Sequence, residues 1–593
     1  MPEPLVAATI LCVAAILVGA PIRWALGVLV FATLLVPDSL VLPYAPSGYF
    51  NAQRIFLVAF LIRMLVGHWR REVPTDAFRV TPLHIALVAF AAVTYVVGVL
   101  LARFPVAPDD AFNSWLLVVD QVVFVVVVVA AIRTISDPLS VASALIGAIG
   151  VAAVIALWEH VSHDAYSVVV WFRNLPDQAG FPGARPIEVR GGDVRVRAAA
   201  GFSLSFAWIA GGLIPLALVV ASWRRRWWLL VAPVVGLAVL WTYSRSVLAG
   251  LAVGVVVLVV ASRFEGRVTR IVLVLGVAAA LLLGMSSMLG RTFDERAAEG
   301  SNTVREERLP VVLDLAADRP LVGAGHGAVR SQGFAGTDAT YVSTYVELGV
   351  VGLISLMALL ATALWVTLPA LRSPLRRDRA VAAATVAGVV MAIMGAGAFD
   401  LFPSVHSSRP FWALVCLGLV LTEHTGTAWS LRLPSGRLFV GAAAGLLAGF
   451  GALALAPRSD TATYRFQSLG VASDARADVP RDFIGRVRLL AACDAADAVG
   501  GRVDADVYCG PVPNAIDLAD LRIAIDSDRG TRALDDAVDA IHGGIEAVVP
   551  DPELVSTGRF DDARPAWAST AMMWMPIVTG GIAVGLPDRR RRR

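Results

Sequence analysis

Long continuous runs of apolar residues constrain this chain most, because each run is long enough to cross a membrane as one helix. The runs are about 17 to 25 residues long, the length that spans roughly 30 Å of hydrocarbon. They are continuous rather than alternating, which favours helices over strands. Only 16% of residues are charged and 57% are hydrophobic, against about 25% charged in soluble domains. The sequence predicts an all-α polytopic membrane protein with about 14–15 transmembrane helices.

The candidate spans divide the chain into membrane and extracytoplasmic parts. They are 5–20, 22–37, 54–67, 82–102, 114–132, 139–158, 202–221, 227–242, 246–261, 269–289, 347–370, 380–399, 408–423, 437–456 and 569–586. We expect a multi-span domain over 1–456, an extracytoplasmic domain over 457–568, and a last helix with a basic tail over 569–593.

Arginine-rich short loops alternate along the chain with arginine-poor ones, and the chain ends in five consecutive arginines. Because basic loops stay in the cytoplasm, we expect an inner-membrane protein with its N-terminus outside and its C-terminus in the cytoplasm. The long segments 159–201, 290–346 and 457–568 then face outward. The chemistry of the protein is expected on that face.

The segment 457–568 has a different composition. Residues 457–566 carry 20 acidic residues and 12 arginines, a net charge of −8. Residues 464–473 are typical of a strand, and 515–526 and 531–548 have apolar residues at helical spacing. We therefore predict a small α/β domain. In topology only, it resembles polysaccharide chain-length regulators, which makes it a candidate surface for other polysaccharide-assembly proteins.

The four cysteines fall into two pairs. Cys12 and Cys416 lie in apolar spans and are expected to be inert packing residues. Cys493 and Cys509 lie in the acidic segment, where an oxidising environment favours a disulfide between them. The alternative is two unpaired buried thiols.

Three outward clusters carry the candidate chemistry, and the first precedes the span at 202–221. It places Arg190, Arg195 and Arg197 where a helix begins. Helix N-termini offer free N–H donors, and guanidinium groups bind phosphate through two parallel hydrogen bonds. We predict a diphosphate site here. The alternatives are anchoring at the membrane interface and pairing with Asp193.

The second cluster is Ser244-Arg245-Ser246, a tight outward turn that keeps Arg245 near membrane depth. Its alternative is an arginine whose head group simply reaches the interface. The third cluster occupies 290–346 and the start of the next span. It contains Arg305, Arg308 and the run Gly323-Ala-Gly325-His326-Gly327, which lacks the lysine of a nucleotide-binding loop.

Four polar residues follow this run at the start of the span at 347–370. Asp338, Tyr341 and Tyr345 are spaced to share one helical face, and Glu347 lies further round. A carboxylate here can accept a proton from a sugar hydroxyl. Asp338 is also a candidate helix N-cap. The tyrosines are candidate substrate-binding residues.

In this order, the clusters resemble the O-antigen ligase and Wzy-type polysaccharide polymerase family over about 190–425. Arg197 with Gly201-Phe202 is similar to the first family element, and Ser244-Arg245-Ser246 to the second. Arg305 and Pro320-Leu-Val-Gly-Ala-Gly325 are similar to the third. Tyr341, Glu347, Gly349 and Gly352 are similar to the last. The family's histidine nine residues before the glutamate is Asp338 here, and its asparagine is Ala339. This departure favours a polymerase or another glycan transferase over a ligase.

The resemblance implies a GT-C-like fold and glycosyl transfer from a polyprenyl-diphosphate-linked glycan on the outer membrane face, without a cofactor, a metal or nucleic acid. It assigns Asp338, Glu347 or His326 to catalysis. It assigns the diphosphate to the arginines of the three clusters: Arg195, Arg197, Arg245, Arg305 and Arg308.

Two other classes stay open. A transporter or flippase for lipid-linked glycans would carry charge deep within its spans; Arg63, Asp120 and Gln121 come nearest to this, and Asp120 with Gln121 is a candidate cavity lining. The third class is a non-catalytic envelope scaffold that recruits partners through 457–568.

Overall fold

The computed structural model describes residues 3–43, 50–101, 108–173, 187–190, 193–223, 226–244, 319–331, 340–396 and 405–425. It also describes residue 175, parts of 247–258 and 309–317, and four strands between 459 and 563. Predictions that fall on other residues, including the spans 269–289, 437–456 and 569–586, lie outside the described part of the chain.

The helices follow the apolar runs closely. They are α1 Glu3–Gly19, α2 Ile22–Leu35, α3 Ala52–Trp69, α4 Pro82–Tyr95, α5 Pro108–Ile135, α6 Pro138–Ser162, α7 Ser203–Trp223, α8 Val231–Leu240, α9 Ala328–Ser331, α10 Thr340–Thr367, α11 Arg376–Gly395 and α12 Val405–His424. A π-helical turn, Val96–Leu100, extends α4, and a second, Ser167–Phe172, follows α6.

Seven helical segments of the described chain are long and apolar enough to cross a membrane. They are Ala52–Trp69, Pro82–Leu100, Ala111–Ile135, Pro138–Ser162, Ser203–Trp223, Thr340–Arg372 and Arg376–Gly395. Shorter apolar helices cover Glu3–Gly19, Ile22–Leu35 and Trp228–Leu240. The predicted all-α polytopic membrane fold is confirmed.

Local sequence signals set where these helices begin. Asn51 caps α3 by accepting the N–H of Arg54 at 2.7 Å, and Pro138 occupies the first turn of α6. Thr81 and His84 form a capping box at the start of α4. Asn51, Thr81 and His84 satisfy N–H groups that a helix start leaves open, whereas Pro138 has no N–H that needs a partner.

The buried core runs through α7, which packs against α6, α8 and α11. Gly212 and Gly388 allow α7 and α11 to approach closely: a Cβ at Gly388 would lie 2.6 Å from the carbonyl oxygen of Gly212. Small residues at helix contacts are characteristic of membrane bundles.

One end of the bundle carries arginines and exposed tryptophans. Arg133 at the end of α5 pairs with Glu423 at the end of α12, and its guanidinium also donates to the carbonyls of Ala77 and Arg79. Exposed tryptophans occupy the ends of four helices near arginines: Trp24, Trp69, Trp223 and Trp365. Such aromatic residues typically mark the membrane interface.

Among the described residues, strands are found in two places. β1 Glu188–Arg190 and β2 Asp193–Arg195 form an antiparallel hairpin before α7. In the acidic segment, β3 Ser459–Ser468, β4 Asp506–Pro511, β5 Asp520–Ser527 and β6 Pro552–Ala563 form an antiparallel sheet in the order β4-β5-β3-β6.

The prediction of helical spacing over 515–526 is wrong, because β5 covers most of that range. Leu521, Ile523 and Ile525 alternate with polar residues or alanine, which is the period of a strand. The predicted strand at 464–473 overlaps β3, which begins and ends five residues earlier. The predicted helix at 531–548 lies outside the described residues, so the α/β character of this domain stays a prediction.

Candidate functional site

A break in α10 organises the first part of the site. Gly349 has φ +65° and ψ −164° inside the helix, a combination that only glycine adopts freely. The break frees backbone groups on both of its sides from their helical partners. Buried backbone groups need partners, and a separate segment supplies them here.

That segment is the glycine segment, residues 319–327, which docks into the break. The carbonyls of Pro320 and Leu321 accept from Val350 and Val351, at 2.9 and 3.2 Å. In the other direction, the N–H groups of Ala324 and Gly325 donate to the carbonyls of Val346 and Glu347, at 2.8 and 2.9 Å. The predicted Pro-Leu-Val-Gly-Ala-Gly element and the Glu-Leu-Gly element are therefore two halves of one structure.

Two glycines make this docking sterically possible. A Cβ at Gly349 would lie 2.3–2.4 Å from backbone atoms of Leu321 and Val322. A Cβ at Gly323, which has φ +70°, would lie 2.5–2.6 Å from backbone atoms of Glu347 and Gly349. Glycine is therefore required at both positions because the backbones of the glycine segment and α10 approach too closely to leave room for a side chain.

The docking brings together two of the three predicted catalytic residues. His326 Nδ1 lies 2.8 Å from Glu347 Oε2, and the two side chains are 15% and 13% exposed. The N–H of His326 donates to the carbonyl of Gly98, in the π-turn after α4, at 2.7 Å. His326 Nε2 is buried and has no hydrogen-bond partner among the described residues. We call His326 and Glu347 the dyad.

A second group of residues surrounds the predicted diphosphate arginines. Glu159, near the end of α6, is fully buried. Its Oε2 accepts the N–H groups of Arg197 and Ala198 at 2.8 Å each, and its Oε1 accepts the N–H of Tyr166 at 2.9 Å. The backbone donors predicted for phosphate at this point are therefore bound by an internal carboxylate.

This group also joins the first and second predicted clusters. The N–H of Val196 donates to the carbonyl of Trp241 at 3.3 Å, and Arg195 Nε donates to the carbonyl of Thr242 at 2.9 Å. The His160 ring stacks on Trp241 with centroids 4.0 Å apart. We call residues 159–160, 195–198 and 241–244 the arginine junction.

The arginines of the junction differ in accessibility. Arg197 is 1% exposed, and its guanidinium lies 3.4 Å from both the Gly201 carbonyl and the Ser167 hydroxyl. Arg195 is partly exposed. The first helical residue of α7 is Ser203, so Arg197 lies six positions before the helix, in the segment that leads into it.

Each of the two predicted substrate-binding tyrosines contacts other parts of the chain. The Tyr341 hydroxyl donates to the carbonyl of Ile393 in α11 at 2.5 Å, whereas Tyr345 packs against a small cluster around Val312 and Val346. The remaining predicted site residues lie outside the described residues or have undescribed side chains: Arg245, Arg305, Arg308, Asp338, Cys493 and Cys509.

A buried polar cluster was not anticipated from the sequence. Asp120 accepts from Arg54 Nε at 3.0 and 3.1 Å. Arg409 is 1% exposed and donates to the Gln53 side-chain and backbone oxygens at 2.9 and 3.1 Å. The sequence did contain a signal for this cluster, because Arg54 and Asp120 carry opposite charges in different spans. Charged residues within a membrane need partners, so such residues are candidates for pairing.

The residues that suggested a transporter cavity are engaged in this and similar contacts. Gln121 accepts from Trp412 Nε1 at 2.8 Å. Arg63 donates to the Ala20 carbonyl at 2.6 Å and to Glu72 at 2.5 Å. Its guanidinium holds the pKa of the Glu72 carboxyl below its ordinary value through a hydrogen bond and its charge. The described contacts of these residues join helices to one another and to a connecting loop.

Apolar helices of spanning length define the chain as a multi-pass membrane protein. A model of the family described as O-antigen ligase matches residues 229–357, which confirms the family resemblance predicted from the motifs. The matched range includes the glycine segment and the dyad, whereas Arg195 and Arg197 precede it.

The family match supports a function of ligase or polymerase type in glycan assembly. No curated protein matches the chain.

Proposed function

We propose that this protein transfers or polymerises a polyprenyl-diphosphate-linked glycan on the outer face of the cytoplasmic membrane. The observation that carries this proposal is the dyad, in which His326 Nδ1 and Glu347 Oε2 are 2.8 Å apart. A histidine oriented by a carboxylate is the arrangement of a general base.

The dyad suits the removal of a proton from an acceptor sugar. With Nδ1 hydrogen-bonded to Glu347, the neutral imidazole presents Nε2 as the acceptor. The acceptor hydroxyl oxygen forms a bond to the anomeric carbon of the donor glycan while the bond from that carbon to the diphosphate oxygen breaks. The hydroxyl proton passes to Nε2, and the diphosphate leaves with the bonding electron pair. Direct displacement inverts the anomeric centre.

The arginine junction is the proposed environment of the leaving diphosphate. Negative charge develops on that group during transfer, and positive groups fixed nearby stabilise it. Arg195 is the better placed for direct contact because it is partly exposed. Arg197, although enclosed, adds positive charge in surroundings that screen it little. Arg245 follows the junction directly, and Arg305 and Arg308 complete the proposed set.

The remaining proposals concern surroundings and partners. The diphosphate is already an activated leaving group, so the transfer requires no metal or nucleotide. The outward face and the cytoplasmic C-terminus rest on the distribution of arginine among the loops. The acidic segment 457–568 is the proposed contact for other polysaccharide-assembly proteins.

The test is the surface polysaccharide of a deletion strain complemented with variants. We expect His326→Ala and Glu347→Ala to abolish long polymer, and Glu347→Gln to reduce it strongly, because the amide cannot stabilise an imidazolium. The matched control is His424→Ala at the opposite end of the bundle, which should restore full synthesis. Wild-type polymer from both His326→Ala and Glu347→Ala, at normal protein abundance, would refute the dyad as the base.

The same strains separate related functions. Accumulation of single lipid-linked repeat units indicates a polymerase, and long polymer that stays lipid-linked indicates a ligase. Accumulation of lipid-linked units on the inner leaflet indicates a flippase and contradicts the proposal. Asp338→Asn tests the alternative base. If this variant loses transfer while His326→Ala stays active, Asp338 is the general base instead of His326.

A further inference from the structure

Glu159 is a buried carboxylate that takes no part in the proposed transfer. It is 0% exposed, although a carboxylate is costly to bury without strong partners. Its two carboxylate oxygens accept three main-chain N–H groups. A residue in this position therefore shapes the backbone around it.

The geometry at Glu159 resembles an anion bound by a peptide nest. Arg197 and Ala198 donate consecutive N–H groups to the same carboxylate oxygen, and Ala198 has φ +51°. Successive N–H groups that converge in this way form a concave site for negative charge. Hydrogen bonds to an ionised acceptor are the stronger kind, so Glu159 holds Ala198 in a conformation that alanine rarely adopts.

The neighbouring residue fixes the other half of the arginine junction. His160 stacks on Trp241, and the Trp241 carbonyl accepts the N–H of Val196. Two adjacent residues near the end of α6 thus hold the strand that carries Arg195 and the turn that leads to Arg245. Without Glu159, the main-chain donors at the junction would lose their shared acceptor.

We infer that Glu159 is a positioning residue: it sets the arginine junction for a diphosphate by anchoring the backbone of Arg197 and Ala198. The inference rests on the proposed function only in taking diphosphate as the ligand. Glu159 does not contact the donor, since its oxygens are bound by the chain itself. Its effect should appear in donor affinity rather than in the proton transfer performed by the dyad.

The direction of the effect distinguishes positioning from simple charge. Removal of a negative group beside arginines would by itself strengthen the binding of an anion. Loss of the backbone anchor would weaken it, because the arginines would no longer be held in place. Glu159→Gln separates the two: it removes the charge and keeps one acceptor oxygen, but its amide nitrogen meets an N–H donor at the other oxygen position and cannot accept from it.

The experiment measures binding of undecaprenyl diphosphate to the full chain in lipid nanodiscs, apart from glycan transfer. We expect Glu159→Gln to raise Kd about tenfold, the effect of losing one charge-assisted hydrogen bond, and Glu159→Asp to raise it less. Glu423→Gln is the matched control: it removes a paired carboxylate at the other end of the bundle and should leave Kd unchanged.

Further variants keep the two proposals distinguishable. His326→Ala should bind undecaprenyl diphosphate with wild-type affinity and yet fail to transfer, so a failure of the dyad leaves the inference on Glu159 standing. Unchanged or tighter binding by Glu159→Gln overturns the inference. Equal loss of affinity in Glu423→Gln does so too, because the effect would then be a general loss of stability, which thermal unfolding of each variant records.

Discussion

Gly349→Ala should undock the glycine segment and abolish transfer. The native φ and ψ of Gly349 lie in a region that costs other residues about 1–3 kcal/mol. The new Cβ would also lie 2.3 Å from the carbonyl carbon of Leu321, and such overpacking costs about 1–3 kcal/mol. Together these terms come to about 2–6 kcal/mol against the docked state. At about 1.4 kcal/mol per factor of ten, the docked-to-undocked ratio falls at least about 30-fold.

Two measurements check this prediction. Hydrogen exchange should show lost protection of the Ala324 and Gly325 amides, whose acceptors are the carbonyls of Val346 and Glu347 just before the helix break. Polymer length in the complemented deletion strain should fall because His326 leaves Glu347. Gly236→Ala is the control, since nothing lies within 4 Å of its added Cβ. Wild-type amide protection and polymer length in Gly349→Ala would refute the docking argument.

Gly323→Ala provides an independent check of the same contact. Its Cβ would clash with backbone atoms of Glu347 and Gly349 from the opposite side. Because both substitutions break one docking contact, the double variant should be little worse than either single variant. Additive losses would show that the two glycines serve separate structures.

Asp120→Asn should lower the free energy of unfolding by about 3–5 kcal/mol, because it removes the carboxylate that pairs with the buried Arg54. Thermal unfolding in detergent measures this loss. The control is Asp76→Asn, which removes the carboxylate of an exposed ion pair. Gly98→Ala should reduce transfer while protein abundance stays normal, because its Cβ would lie 2.8 Å from the Cβ of the dyad histidine; the polymer ladder reads this out. A single cysteine in place of His163 should react with an impermeant maleimide in intact cells, whereas one in place of Arg71 should react only after permeabilisation. The reverse pattern would invert the proposed orientation.

The membrane helices could be predicted from the sequence because their signal is local. The prediction of 139–158 differs from α6, Pro138–Ser162, mainly at the end, and 54–67 lies within α3, Ala52–Trp69. Continuous apolar length is required by the bilayer itself, and Pro138 and Asn51 mark the starts. The strand β5 was missed because a short apolar segment fits both helical and strand periods.

The dyad could be predicted only as separate residues. The sequence identified His326 and Glu347 as candidates, but a helical wheel drawn through Gly349 assumes a continuous helix. The break redirects the chain and opens backbone groups that receive the glycine segment. The pairing therefore depends on a non-helical φ/ψ at one glycine, which residue spacing does not express.

In the arginine junction, the sequence identified the arginines but not the carboxylate that binds their backbone. Its arginines were found because charge near a span is unusual, whereas Glu159 resembled an ordinary residue near a helix end. Only the fold reveals that its carboxylate collects main-chain donors from positions 166, 197 and 198. Likewise, the Arg54–Asp120 pair joins residues 66 positions apart. The sequence shows that both residues are charged, but it does not show that they are in contact.

The broken helix explains how polar chemistry can operate at membrane depth. Open backbone groups within a bilayer are tolerated only where other protein groups satisfy them, and the glycine segment does so on both sides of Gly349. The same hydrogen bonds fix Glu347 in the helix and His326 in the segment, so structural need and catalytic geometry share one set of contacts. Surroundings of low dielectric then strengthen the interaction between an imidazolium and its carboxylate. In the proposed transfer, these contacts hold the imidazole and its carboxylate together before the acceptor hydroxyl arrives, so the pair does not have to be assembled during the reaction.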